Sequence, residues 1–206
     1  MSNYLYVDME TGKFIISEAR LTQLITNLIL ETLACLGGEY RKRIRFLCHL
    51  IKDGDMDAID EASVILSKYV PPGSVLIPVP SHNGYATYTL TLANFIAKRS
   101  KSKVMDILSS PPRERMYNLK FNKGDVENID LQFTADSPDK EKIAEILRSA
   151  RNVILIDNVV SSGITYEQAQ KAIKKMYGVD AWMLSLGAVT RTPYDRNEKR
   201  VLRSTF

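Results

Sequence analysis

The sequence predicts an α/β protein: a mostly parallel, twisted sheet with helices on both faces, carrying an N-terminal helical appendage. Three observations predict it. From residue 73 onward, short apolar runs alternate with amphipathic stretches, the pattern of strands joined by crossover helices. Val153-Ile154-Leu155-Ile156 is apolar without interruption, as expected of a strand covered on both faces. Polar segments then follow the strand candidates, where parallel sheets present their ligand crevices.

The chain is expected to open with a hairpin. Residues 4–7 and 13–16 are β-prone and flank the turn Glu10-Thr11-Gly12. A helix is predicted from about Ser17, because Leu21, Leu24, Ile25, Leu28, Leu33 and Leu36 recur at helical spacing before Gly37-Gly38 stops it. Two more helices are predicted over 40–52 and 55–69. The basic cluster Arg41, Lys42, Arg43 and Arg45 in the first of these is simplest as a solvated helix face. Pro71-Pro72-Gly73 closes this region, which places a boundary near residue 72.

Beyond it, residues 74–79 form a strand candidate, 84–98 a helix and 103–108 a strand. Residues 109–125 are polar and basic without periodicity, the signature of a long loop. Strand pairing is expected over 126–133, a helix over 138–149, a strand over 153–156, a helix over 164–176 and a last strand over 182–189. The organisation is thus an appendage or hood (1–72), a core (73–192) and a basic tail (193–206).

With 206 residues, 45% apolar and 25% charged, the chain has the composition of an ordinary globular protein. A net charge of +4 suits anionic partners. Cys35 and Cys48 lie in apolar stretches with no Cys/His cluster, so a structural zinc site is not expected. No apolar run reaches the ~20 residues that span a bilayer, and the N-terminus lacks the pattern of a signal peptide. A cytoplasmic protein without membrane contact is expected.

Chemistry is expected at the loop after residue 156. Gly163 permits backbone angles that aim amides at one point, while Ser161, Ser162 and Thr165 add hydroxyl donors. The start of the next helix adds its positive dipole end, so this is an anion cradle. Asp157 and Asn158 sit one sugar-length upstream, placed to bond vicinal hydroxyls and to steady a Mg²⁺ carried by the substrate. A plain strand–turn–helix join, with Thr165 and Gln168 as a capping box, accounts for the threonine and the glycine. It does not account for a carboxylate and an amide directly after four apolar residues.

The segment Val153-Ile154-Leu155-Ile156-Asp157-Asn158-Val159-Val160-Ser161-Ser162-Gly163-Ile164-Thr165 resembles the phosphoribosyl-pyrophosphate (PRPP) signature of type I phosphoribosyltransferases. That signature is an apolar strand, two acids, two apolar residues and a Thr-Gly-x-Thr-like loop. Leu76-Ile77-Pro78-Val79-Pro80 resembles the first strand of the ComF-like branch, and Glu114-Arg115-Met116-Tyr117-Asn118-Leu119-Lys120-Phe121 its mobile loop. Gly187-Ala188-Val189-Thr190-Arg191-Thr192 is similar to the family's last core strand.

The resemblance implies a Mg²⁺-assisted transfer of the sugar phosphate between pyrophosphate and a nitrogenous base, with PRPP or a nucleotide as substrate. Ser161, Ser162, Gly163, Ile164 and Thr165 would hold the 5-phosphate, and Asp157 and Asn158 the ribose hydroxyls. Ser81, His82, Asn83 and Gly84 would meet the pyrophosphate, with Arg113, Arg115, Lys120 or Lys123 closing over it. Asp157, Asn158, Arg115 and Lys120 are the implied catalytic set.

Three departures stand out. Asn158 replaces the usual second acid, and the pyrophosphate loop lacks the Arg-Gly or Lys-Gly pair. Ser161 stands where 6-oxopurine enzymes place an acid, which disfavours hypoxanthine and guanine. The rival functions are a PRPP or nucleotide sensor without turnover, and an effector working with nucleic acid through Arg191, Arg196, Lys199, Arg200 and Arg203. In either case the N-terminal helices are the expected surface for a second copy or a protein partner.

Overall fold

The computed structural model describes residues 4–7, 14–17, 38–114, 130–135, 137–160 and 163–188. Among them are β1 (Tyr4–Val7), β2 (Phe14–Ser17), α1 (Gly38–Lys52), α2 (Met56–Ser67), β3 (Val75–Pro78) and α3 (Tyr88–Ser100). They continue with β4 (Lys103–Val104), α4 (Lys140–Ser149), β5 (Val153–Val160), α5 (Ile164–Tyr177) and β6 (Trp182–Ala188). The sheet order is β2-β1-β6-β5-β3-β4. Strands β6, β5, β3 and β4 run parallel, β1 joins β6 in parallel, and β2 pairs β1 antiparallel at the edge. The α/β class is therefore the observed one.

Apolar spacing decides where each helix lies. In α1, Ile44, Leu47, Cys48 and Ile51 repeat at i, i+3, i+4 and i+7, and all are buried. They share one hydrophobic cluster with Ala58, Ile59, Ala62 and Leu66 of α2, Leu92 and Ile96 of α3, and Leu76, Ile154, Ile156, Leu184 and Leu186 of the sheet. The opposite face packs Val75, Ile77, Val153, Leu155 and Met183 against Ile143 and Leu147 of α4 and Tyr166, Ala169, Ile173 and Tyr177 of α5. Helices thus cover both faces, and each fully buried aliphatic side chain contributes about 1.5–3 kcal/mol. The helices before residue 73 pack as a layer on the sheet itself. Arg43–Glu61 and Arg99–Asp60 ion pairs tie α1 to α2 and α2 to α3, though exposed pairs of this kind contribute no more than about 1 kcal/mol each.

Several boundaries differ from the sequence expectation. Strand β5 runs to Val160, not to 156, because β6 continues beside it through Asp157↔Ser185, Val159↔Gly187 and Val160↔Ala188. Pairing overrides the weak β-preference of Asp and Asn. Its burial changes from continuous over 153–156 to alternating over 157–160. Strand β4 stops at Val104 rather than 108, beside a β3 that ends in Pro78, a residue with no amide to extend a ladder. Residues 130–133 form no strand, and only the isolated bridge Ser109↔Thr134 is present there. Helix α3 begins at Tyr88 instead of 84, since residues 81–87 are taken up by a turn.

The expected hairpin turn at 10–12, most of the helix after Ser17, residues 126–129 and the basic tail lie outside the described residues. Among the described residues no helix is long and apolar enough to cross a membrane.

Candidate functional site

β3 and β5 are neighbours through Pro78↔Ile156, so the turn leaving β3 starts beside Asp157, while β5 itself runs on to Val160. Val79 donates its amide to the Ile156 carbonyl at 3.0 Å. The connection after β4 returns to the turn that leaves β3, through Ser110 and Arg113.

The turn after β3 is tightly bonded to itself. Ser81 donates its amide to the Tyr85 carbonyl at 3.0 Å, and Gly84 donates to Ser81 at 3.1 Å. Asn83 Oδ1 accepts both the Ser81 hydroxyl and the Tyr85 amide. Ser81 is buried, whereas His82 and Asn83 are exposed. Of the four residues expected to meet pyrophosphate, Ser81 and Asn83 therefore already have polar partners within the turn.

Gly84 has φ +95°, and a Cβ there would lie 2.2 Å from the Ser110 carbonyl oxygen. Only glycine admits both that φ and that approach. The contact matters because Ser110 donates its amide to the Gly84 carbonyl at 3.1 Å and Arg113 donates to the His82 carbonyl at 2.8 Å. The turn after β3 and the segment 109–114 are thus zipped together.

Arg113 is half-buried. Burial holds its guanidinium below the ordinary arginine range, and the Asp157 carboxylate and Tyr88 partly offset this. Its Nε is buried and has no hydrogen-bond partner among the described residues.

Asp157 is half-buried on β5. Desolvation pushes its carboxyl up from 3.8 to about 6, against the opposing pull of the Asn158 amide, Lys52, Arg113 and the Val159 amide. Its Oδ1 accepts the Asn158 amide at 2.8 Å. A carboxyl pushed up to about 6 by desolvation, with cations acting on it, is the kind of group active sites use.

The side chain of Asn158 faces α1. It is 1% exposed, and its Nδ2 donates to the Cys48 carbonyl of α1 at 2.8 Å. Its amide nitrogen thus bonds α1, on the sheet face opposite to the Asp157 side chain, because a strand sends successive side chains to opposite faces.

Ser161 and Ser162 of the expected phosphate cradle lie outside the described residues. Gly163 takes φ +81° and caps α5 without any side-chain bond. Ile164 and Thr165 open the helix, both half-buried. A 14-residue helix begins at Ile164, and its N-terminus carries the positive end of the helix dipole. Tyr166 anchors that first turn, fully buried, with its hydroxyl donating to the Ala181 carbonyl at 2.9 Å.

Gln168 does not close a capping box on Thr165. Its Oε1 accepts the Leu131 amide at 2.6 Å. At the base of the long loop, Ser109 and Thr134 exchange amide–carbonyl bonds of 3.0 and 2.9 Å. Arg115, Lys120 and Lys123 lie between these anchors, outside the described residues.

No protein-family model matches the chain, and no curated protein matches it.

Among the described residues no group of three His, Cys, Asp or Glu gathers, so they offer no ready ligand set for a protein-held Mg²⁺.

The contact of Cys48 with Asn158 was not legible in the sequence, because nothing local says that α1 reaches β5.

Proposed function

We propose that the chain binds a ribose 5-phosphate group at the carboxyl edge of β5 and transfers it between pyrophosphate and a nitrogenous base. The observation that carries this reading is the junction of Asp157 with Gly163. A desolvated carboxyl sits on the strand, and a left-handed glycine opens a helix without a side-chain cap just beyond it. The PRPP-like motif covers the same residues.

In this reading the 5-phosphate meets the amides from Gly163 to Thr165 together with the hydroxyls of Ser161 and Ser162. Asp157 accepts a ribose hydroxyl, and its negative charge stabilises the positive charge that develops at C1 as pyrophosphate leaves. Arg113 supplies positive charge from the segment zipped to His82, with Arg115 and Lys120 following it in the sequence. Mg²⁺ enters on the phosphate oxygens of the ligand, not on protein ligands.

A second reading is favoured by one observation, the engagement of Asn158 with α1. A site with one available carboxyl suits a PRPP or nucleotide sensor that holds its ligand without turning it over.

The deciding experiment follows pyrophosphate release from PRPP, with Mg²⁺ and a panel of bases, in wild type and in Ser162→Asp. Turnover that disappears in the variant supports the transferase. Tight PRPP binding without turnover on any base supports the sensor. Absence of PRPP and ribose 5-phosphate binding removes both.

A further inference from the structure

Three of the four large apolar side chains exposed among the described residues lie on one helical hairpin. Phe46 of α1 is 53% exposed, and Met56 and Val64 of α2 are 52% and 44% exposed. The fourth is Tyr85, in the turn after β3. Exposed apolar residues scattered singly are ordinary. Three gathered on one pair of helices mark a contact surface.

The charges on the same hairpin are segregated by helix. In the sequence of α1, Arg41, Lys42, Arg43, Arg45 and Lys52 stand against one acid, Glu39. Residues 53–67 hold Asp53, Asp55, Asp57, Asp60 and Glu61 and no lysine or arginine. The hairpin's own ion pair, Arg43 with Glu61, uses one charge of each sign. Arg45 on α1 and Asp57 on α2 are exposed and have no ion-pair partner among the described residues. A solvated face accounts for such charges alone, but not for the apolar residues set among them. We infer that this face is an interface between two copies of the chain, related by a twofold axis along the helices, with α1 of each copy lying on α2 of the other.

Segregated charge is what selects a second copy over a foreign partner. A partner of one sign would be repelled by one of the two helices, and a nucleic acid would face the acids of α2. A copy turned about the twofold axis sets basic against acidic twice, as an isologous contact requires. The Arg43–Glu61 pair fixes the level of α1 against α2, and the axis keeps that level. Residue 45 of one copy therefore comes level with the first turns of α2 in the other, where Asp57 lies. Phe46 and Val64 leave water on both copies. With 15 residues, α1 is about 22 Å long. Two such helices side by side form a small interface, so the association is reversible, with a Kd of about 10–100 µM.

This inference is independent of the ribose-phosphate reading, and sedimentation equilibrium of the full chain tests it. Concentrations of about 5–500 µM bracket the expected Kd. The chains compared are wild type, Phe46→Ser, Arg45→Glu, Asp57→Lys and the Arg45→Glu/Asp57→Lys double variant. Wild type should pass from monomer to dimer, and added salt should weaken the dimer. Phe46→Ser and each single charge reversal should weaken association about tenfold. The double variant exchanges the signs on both helices, so its association should return to near the wild-type value. That restoration separates a contact between copies from damage to the fold. A wild type that stays monomeric overturns the inference, whether residues 18–37 or solvent covers the face. A dimer unmoved by Phe46→Ser, or a double variant no tighter than the single reversals, overturns it equally.

Discussion

Arg113 donates its backbone amide to the carbonyl of His82 at 2.8 Å, joining two loops that leave different strands of the sheet. The bond fixes where the long loop begins and brings the Arg113 guanidinium within electrostatic range of Asp157. Gly84 makes the junction sterically feasible. Gly84→Ala is expected to lose about 1–3 kcal/mol of stability, from the +95° φ and the clash with the Ser110 carbonyl. Denaturant unfolding measures that loss, and an unchanged midpoint would remove the zipped junction from the description.

Asp157 links pH to stability with a definite sign. Its folded value of about 6 lies above the ordinary 3.8, so the folded chain holds the proton more tightly than the unfolded one. The stabilising contribution is complete below about 4 and is lost as pH rises through about 6. Asp157→Asn removes the buried charge and keeps an acceptor for the Asn158 amide. Its Tm should exceed that of wild type at pH 7.5, by about 2–4 °C per kcal/mol in a chain of this size. The gap should narrow as pH falls through about 6 and close below about 4. A gap independent of pH would assign the effect to something other than this carboxyl.

The Cys48 thiol is pushed up to about 12, chiefly by burial. It should therefore resist alkylation at pH 8 for as long as α1 stays docked, since the thiolate is the reactive form. In a Cys35→Ser background, mass spectrometry after iodoacetamide treatment should show Cys48 intact in buffer and modified in urea. Rapid modification in buffer would mean that α1 is not held on β5.

Gln168 and Thr165 offer a test of the first turn of α5. Because Gln168 bonds the Leu131 amide instead of completing a capping box, Gln168→Ala should cost about 1–3 kcal/mol by leaving a partly buried donor unmet. Its effect should add to that of Thr165→Ala without coupling. A double-mutant coupling energy above about 0.5 kcal/mol would restore the capping box.

Much of the architecture was legible because it depends on local periodicity. The i, i+3, i+4 spacing of Ile44, Leu47, Cys48 and Ile51 marks a helix face whatever covers it, and the continuous run 153–156 marks a doubly buried strand. Gly163 likewise announced a left-handed position before a helix, and it has φ +81°. Local chemistry of this kind is written in consecutive residues and needs no partner to be recognised.

Tertiary structure decided the rest. Whether β5 stops at Ile156 or runs on to Val160 depends on β6 lying alongside, and two polar residues in sequence looked like the start of a loop. Which way Asn158 points depends on the parity of that strand. What it meets depends on a helix 110 residues earlier in the chain. The sequence by itself determined the α/β class and the order of most described elements, since these follow from propensity and spacing. Only packing decided that Asp157 is desolvated while its neighbour is bonded to Cys48, because burial and long-range contact have no signature in adjacent residues.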